Sequence, residues 1–438
     1  MAASPVSNFV PTLNPSTVIE ADRLHDKIFE AESAYGDAPF LTTALPNGQS
    51  ETTDFKTAIQ SAQKLARYLR EDLGYDQGDV VAIQSPNCTS YIVSLLGVYL
   101  AGLTITNVNP LYTAAETRRQ LKDSGARCLI GSTIFSEMME DAVEGANVDQ
   151  VISISLTDFF SPMTRSFLNL LLQKVKKLDR PFKGAHTRLV DILSADAPHR
   201  VRYVDTLEPT RDTIYQYSGG TTGVSKGVRL TEQGLMSNIA QFAVASPELL
   251  NTPQQTMLLA LPVYHVFGML ASVIAITNGG HLVLVPNPRP LTNMKPAFKK
   301  FKPDYFPGVN TLFEKLLEED WFLEHGRSLK ITISGAAALH DRVARRWMEV
   351  TGSNIIEGYG MTEATCVVSV NPPDGEKKIG SVGITFPYTQ VRIYKTTPDG
   401  PIEAEVDEVG EICVSNPGVY AGHTYTEADK NVDLFYAD

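Results

Sequence analysis

The sequence predicts an α/β protein with two βαβ-type subdomains, mostly parallel sheets packed together, and a small distorted antiparallel β-barrel at the end. Three observations predict it. Short β-prone runs alternate with helical periodicity between residues 55 and 131, and the alternation resumes between residues 258 and 356. Alternation of this kind builds parallel sheets with right-handed crossovers. Past about residue 380 helices stop, and short strands follow one another between Pro, Gly and Asp turns, the pattern of antiparallel β structure.

The elements follow in order. Phe55, Ile59, Ala62, Leu65, Ala66 and Leu69 mark one apolar helical face, with Asp54 at its start and Gly74 past its end. Asp79 to Ile83 reads as a buried strand, Asn87 to Leu100 as a helix, and Leu103 to Val108 as the next strand. Glu116 to Ser124 is again helical and Arg127 to Gly131 again extended. Further on, Leu258–Leu261, His281–Val285, Asp304–Phe306, Leu329–Ile333 and Asn354–Ile356 read as strands with helices between most of them. Gln390–Tyr394 and Gly410–Val414 are the strands of the last part. With 438 residues, about three units are expected. Their boundaries are read as 1–215, 216–385 and 386–438.

Composition narrows the function. A net charge of −12 argues against a protein that binds nucleic acid through bulk charge. Cys88, Cys128, Cys366 and Cys413 lie far apart without paired spacing, which fits reduced thiols in the cytoplasm better than disulfides or a zinc site. The N-terminus lacks the pattern of a signal peptide, and the most apolar run, Tyr91 to Leu103, is shorter than the roughly 20 residues needed to span a bilayer. Phe167 to Leu178 is apolar with a basic flank ending at Arg180. It reads as an amphipathic helix that packs on its domain or lies on an anionic membrane surface.

The most informative segment is Tyr217-Ser218-Gly219-Gly220-Thr221-Thr222-Gly223-Val224-Ser225-Lys226-Gly227-Val228. Glycines let backbone N–H groups approach a ligand closely, and successive N–H groups form a concave anion site to which hydroxyls add donors. Lys226 adds a mobile charge suited to phosphate. A flexible linker shares this composition. Here, however, β-prone Thr213 to Tyr217 runs straight in, and Thr231 on the far side is a good N-cap for a helix. A loop between ordered elements is thus read as a polyphosphate holder. It is not a Walker A loop, because Ser225 precedes the lysine and Gly227 follows it.

Three other segments follow predicted strands: Leu261 to Gly268, Ser334 to Leu339, and Glu357 to Glu363. In an open parallel sheet the C-terminal strand ends share one edge, where ligands bind. All four loops are therefore expected to converge on one crevice. Together these motifs resemble the AMP-forming acyl-CoA synthetase superfamily of adenylate-forming enzymes. Within it the chain is most similar to bacterial long-chain fatty acyl-CoA ligases, through the double glycine of Ser218 to Gly223, Asn107 to Tyr112, and Gly308 to Phe313.

The resemblance implies a two-step reaction in which a carboxylate and ATP give an acyl-adenylate, and coenzyme A then displaces AMP. It implies that Ser218, Gly219, Gly220, Thr221, Thr222 and Gly223, with Lys226, hold the β- and γ-phosphates. Glu363 matches a Mg²⁺ ligand, with Ser218 as the second, and Thr362 an α-phosphate contact. Gly335, Ala336, Glu357, Gly358 and Tyr359 match the adenine pocket. His265 matches a residue beside the reacting carboxylate, and Val266, Met269, Val309 and Gly360 accompany it along the acyl site. Lys226, His265, Thr362 and Glu363 form the expected catalytic set.

Peripheral contact with the inner membrane and a homodimer belong to the same expectation. Many relatives carry proline where Ser225 stands. The family continues past the position of Asp438 into a ribose-gripping aspartate, a hinge and a mobile domain with an adenylation lysine. The chain is accordingly expected to correspond to the large N-terminal domain, which binds its ligands and turns over poorly. Two rivals accompany this reading. One is an aryl- or medium-chain acid ligase or a carrier-loading adenylation enzyme; the other is a non-catalytic acyl or nucleotide sensor.

Overall fold

A computed structural model describes residues 21–172, 180, 182–195, 202–219, 225–245, 253–373, 377–398, 400–432 and 434–435. Two large sheets dominate it. The first has seven strands in the spatial order Thr187–Arg188, Gln150–Ile154, Ala126–Ser132, Val80–Gln84, Thr104–Asn107, Asp212–Ser218 and Lys226–Thr231. All neighbours are parallel except the last pair, which forms a hairpin with Ser218 opposite Lys226.

The second sheet has nine strands. From one edge they are Ile384–Thr385, Cys366–Val370, Ile355–Met361, Ile331–Ser334, Tyr305–Gly308, Thr256–Leu259, His281–Leu284, Pro39–Ala44 and Ser50–Asp54. The strands from Ile355–Met361 to Pro39–Ala44 run parallel. The linear boundary expected at residue 215 does not follow the sheets. The early hairpin Pro39–Asp54 completes the second sheet, and Lys226–Thr231 completes the first.

The sheets share one apolar core. Every residue of the helix Thr89–Leu100 is buried, so it reads as apolar all round rather than as a stripe. It packs against the helix Phe55–Arg67, whose first turn is capped by Asp54 Oδ1 accepting from the Thr57 N–H at 2.6 Å. A second core backs the strands that carry three of the motifs. There Trp347 lies against Phe313 at 4.8 Å between ring centroids and donates its indole N–H to Thr332 Oγ1 at 3.0 Å. Aromatic packing with a satisfied polar tip makes a rigid backing for loops.

After residue 386 the structure holds an open three-stranded antiparallel sheet, Gly400–Glu403, Gln390–Thr397 and Glu411–Ser415, in place of the expected barrel. Three strands have too few edges to pair for closure. The chain then returns to the first sheet. Arg229 N–H donates to Thr424 O at 2.8 Å and Thr426 N–H to Gly227 O at 2.9 Å, which adds 424–426 along its edge.

The helix expected near residue 167 spans Pro162–Leu170 and exposes Met163 and Phe167. Residues 173–179, which carry most of its basic flank, lie outside the described residues. No helix among the described residues is long and apolar enough to cross a membrane. All four cysteines are free thiols.

Candidate active site

Three of the four motif loops wall one predominantly apolar cavity of about 1550 Å³. The first runs from Pro262 to Gly268, between the strand Thr256–Leu259 and the helix Val266–Thr277. It turns so tightly that a Cβ on Gly268 would sit 2.3 Å from the Pro262 carbonyl oxygen. Asn87 holds it, donating through Nδ2 to the Leu261 carbonyl at 2.8 Å and accepting from the Val263 N–H at 2.9 Å.

Gln216 holds its other end, donating to the Tyr264 carbonyl at 2.7 Å. Gln216 Oε1 accepts from Asn107, which in turn accepts from the Tyr91 hydroxyl at 2.6 Å. Gln216 lies two residues before Ser218, so this buried chain of hydrogen bonds ties the strand leading into the glycine loop to the His265 loop. Fully partnered buried networks of this kind rigidify a site. Asn87 and Gln216 belong to none of the four motifs, although a polar residue inside a β-prone run such as Thr213–Tyr217 is itself a signal.

His265, Val266 and Val309 line the cavity. The His265 ring is open to the cavity while protein encloses it further out, and this desolvation lowers its pKa from the usual value. Its ring lies tilted against Tyr264, with centroids 5.1 Å apart. From His265 onward Val266, Leu270, Ala271, Ile274 and Ala275 present one helical face to the cavity. Met269, expected on the acyl wall, points the other way. It is fully buried between the sheets, where its sulfur accepts from Asn107 Nδ2.

Gly335, Ala336, Gly358, Tyr359, Gly360 and Thr362 line the same cavity, with Gly335 close against the Phe267 ring. Ala336 has φ +62°, a left-handed conformation that costs a non-glycine residue about 1 kcal/mol or more. Glu357, expected in the adenine pocket, lies behind the wall instead. Buried, it accepts the Leu339 N–H at 2.8 Å through Oε1 and so pins the Ala336–Ala338 loop from the neighbouring strand. The strand Ile355–Met361 runs through the third motif rather than ending before it, and pairs back with Cys366–Val370. Gly360 permits this, because a Cβ there would sit 1.7 Å from the Cys366 carbonyl oxygen.

The fourth motif is arranged differently from the expectation. The glycine loop connects two antiparallel strands of the first sheet, Asp212–Ser218 and Lys226–Thr231, whereas the other three motifs lie in or after strands of the second sheet. Gly220, Thr221, Thr222 and Gly223 lie outside the described residues. Ser218, Gly219 and Lys226 flank those residues, and Lys226 meets the third motif through Tyr425, which belongs to none of the four motifs. Tyr425 donates its hydroxyl to Glu363 Oε1 at 2.8 Å, and Lys226 Nζ stands 5.5 Å from the centroid of the same ring. Lys226 and Glu363, 137 positions apart, therefore occupy one cleft.

The donors near that cleft are a carboxylate and hydroxyls. Glu363 Oε2 has no hydrogen-bond partner among the described residues, and Ser218 stands opposite Lys226 in the hairpin. Hard oxygen donors in small number fit Mg²⁺ brought in with a phosphate. Chemically, the arrangement offers a slot of small residues, a long apolar wall and a cationic lip.

Comparison with known proteins agrees with this description. The sequence matches the AMP-binding enzyme family over residues 28–424. It is 33% identical over 405 residues to a long-chain-fatty-acid–CoA ligase of Salmonella typhimurium, covering 91% of this chain and 70% of that protein. A ligase of the same name from Escherichia coli O157:H7 is 32% identical over 417 residues, with 93% and 72% covered. In fold, a long-chain-fatty-acid-CoA ligase from Archaeoglobus fulgidus superposes with a TM-score of 0.79 at 20% identity, over 98% of this chain and 81% of that one.

Proposed function

The chain belongs to the AMP-binding enzyme family, and from that premise we infer that it is an AMP-forming acid–thiol ligase acting on fatty acids. It uses ATP to activate the carboxylate and coenzyme A to take the acyl group. A carboxylate oxygen bonds to the α-phosphorus as pyrophosphate leaves with the electron pair of the broken P–O bond. The coenzyme A sulfur, having lost its proton, then bonds to the acyl carbon, and AMP leaves.

The observation that carries this reading is the meeting of Lys226 and Glu363 on Tyr425 beside a cavity walled by the other three motifs. The first step brings an anion to a polyanion, so charge neutralisation and orientation are the main catalytic tasks. Lys226 supplies a positive charge to the β- and γ-phosphates, and the Thr362 hydroxyl contacts the α-phosphate. Mg²⁺, when bound with ATP, supplies further neutralisation, and Glu363 with the Ser218 hydroxyl would hold it. The slot at Gly335, Ala336, Gly358 and Tyr359 takes adenine between small residues and a ring.

His265 works as a neutral imidazole, which the burial around it favours. A neutral ring orients the carboxylate by one hydrogen bond without quenching its charge in an ion pair, so the oxygen stays nucleophilic. A long alkyl chain is supported by the helix Val266–Thr277. Its 12 residues extend roughly 18 Å, all along the cavity wall. Peripheral contact with a membrane belongs to the same reading, and exposed Met163 and Phe167 support it on a helix whose Leu168 walls the cavity.

Acid-dependent exchange of labelled pyrophosphate into ATP tests the proposal. Palmitate should support exchange far better than benzoate or amino acids. Preference for an aryl acid would move the enzyme to another branch of acid activation. Fatty-acid binding indifferent to ATP and Mg²⁺, without exchange, would favour a sensor.

A further inference from the structure

Tyr425 stands at the junction of two elements that the sequence separates widely, and nothing in the loop motifs requires a tyrosine there. Its backbone is fixed on both flanks. The Thr424 carbonyl and Thr426 N–H bond to the strand Lys226–Thr231, and the Tyr425 N–H donates to Asn431 Oδ1 at 2.9 Å. Gly227 makes room for this docking, since a Cβ there would lie 2.6 Å from Thr426 Oγ1. On the other side, the turn Thr362–Ala364 packs on the same strand, and Thr365 Oγ1 anchors its end by donating to the Gly418 carbonyl at 2.6 Å.

The ring therefore lies between two held partners: an ammonium over its face and a carboxylate on its hydroxyl. No direct ion pair joins Lys226 to Glu363 among the described residues. That separation matters. In a half-buried cleft an ammonium and a carboxylate attract strongly, and a closed pair would have to open before either could serve a phosphate or a cation.

We propose that Tyr425 is a positioning residue of the phosphate site, whose hydroxyl aims the Glu363 carboxylate while its ring holds the Lys226 ammonium and keeps the two charges from closing on each other. The cation–π contact leaves the ammonium protons free for phosphate oxygens. The hydroxyl occupies one carboxylate oxygen and leaves the other for a metal ion. The proposal rests on the reading that Lys226 and Glu363 serve MgATP. It adds that a residue of the last segment governs how they do so.

The experiment measures ATP binding to the whole chain by titration calorimetry over a series of Mg²⁺ concentrations, with thermal midpoints recorded for every variant. Tyr425→Phe keeps the ring and removes the hydroxyl. It should raise the Mg²⁺ concentration for half-maximal tightening about tenfold, the effect of one hydrogen bond to a charged group, and leave metal-free ATP affinity unchanged. Tyr425→Leu removes the ring as well and should also weaken metal-free ATP binding, because Lys226 then pairs with Glu363. Adding Glu363→Gln to that variant should restore metal-free binding, since the competing charge is gone.

Unchanged Mg²⁺ dependence in Tyr425→Phe would overturn the proposal while leaving the functional reading intact. So would a failure of Glu363→Gln to rescue. Wild-type chain that binds ATP with no response to Mg²⁺, or not at all, would overturn both. If Tyr425→Leu does not fold, Tyr425→Phe still decides.

Discussion

Replacing Ala275 with tryptophan should shift the acid preference from long chains towards medium ones. Ala275 faces the cavity nine residues after Val266, about 13.5 Å along the helix from the end where His265 stands. An extended alkyl chain advances about 1.3 Å per carbon, so octanoate spans about 10 Å and stops short of the indole, whereas palmitate spans about 20 Å and does not. About five methylenes then lose their seat. At about 0.8 kcal/mol each the ceiling is about 4 kcal/mol, and half of that already means roughly 30-fold in rate. Pyrophosphate exchange measured with both acids gives the ratio directly. kcat/KM for palmitate should fall by about 30-fold to 1000-fold and that for octanoate by less than about threefold. An equal fall for both acids at an unchanged thermal midpoint would show that the chain does not follow this helix, and so would no change for either.

Lys226→Ala should lower kcat/KM for ATP by about 100-fold or more while the KM for the fatty acid holds, as steady-state exchange kinetics will show. Gly360→Ala should destabilise the fold by more than about 3 kcal/mol, visible in urea unfolding, because backbone must move to relieve a 1.7 Å contact. His281 lies buried between Thr42, at 2.7 Å, and Thr256, and desolvation lowers its pKa to about 4. The unfolded chain takes up that proton near pH 6.5 and the folded one only near 4. This contribution to stability is therefore complete above about pH 6.5, and about 3 kcal/mol of it is lost on acidification to pH 4. Urea midpoints against pH should show this slope in the wild type and lack it in His281→Gln.

The alternation that predicts two parallel sheets was legible because several strands there carry short apolar runs, as at Val80–Ile83 and Leu282–Leu284. Sheet membership was not. Ser50–Asp54 is a polar edge strand without an apolar run, and it joins the sheet only through Pro39–Ala44, which pairs in turn with His281–Leu284. Within the site, the misplaced residues failed on facing rather than on location. Met269 and Val266 share an apolar helix, and an all-apolar helix does not announce which side meets a cavity. Glu357 alternates with Ile356 and Gly358 along a strand, so period two puts its side chain behind the wall they form. Tyr425 was invisible for a different reason. Its role comes from a strand-edge pairing across about 200 residues, and no local pattern encodes that.

Splitting the chemistry between two sheets has a mechanical consequence. The cationic lip sits on the hairpin of the first sheet, whereas the slot of small residues and the apolar wall sit with the second. Reacting groups must be held within a fraction of an ångström, so the reaction depends on whatever fixes one sheet against the other. Besides Asn87 on the Leu261–Val263 backbone, two described links do so at the site itself: Gln216 on the Tyr264 carbonyl, and Tyr425 on Glu363. Both are single hydrogen bonds from the phosphate side to a motif loop of the other sheet. Each is weak beside the apolar core that joins the sheets, so losing one should leave stability nearly unchanged and still misalign the phosphate against the carboxylate. Damage at these links should therefore appear in kcat rather than in the melting temperature, which sets them apart from wall residues such as Gly360.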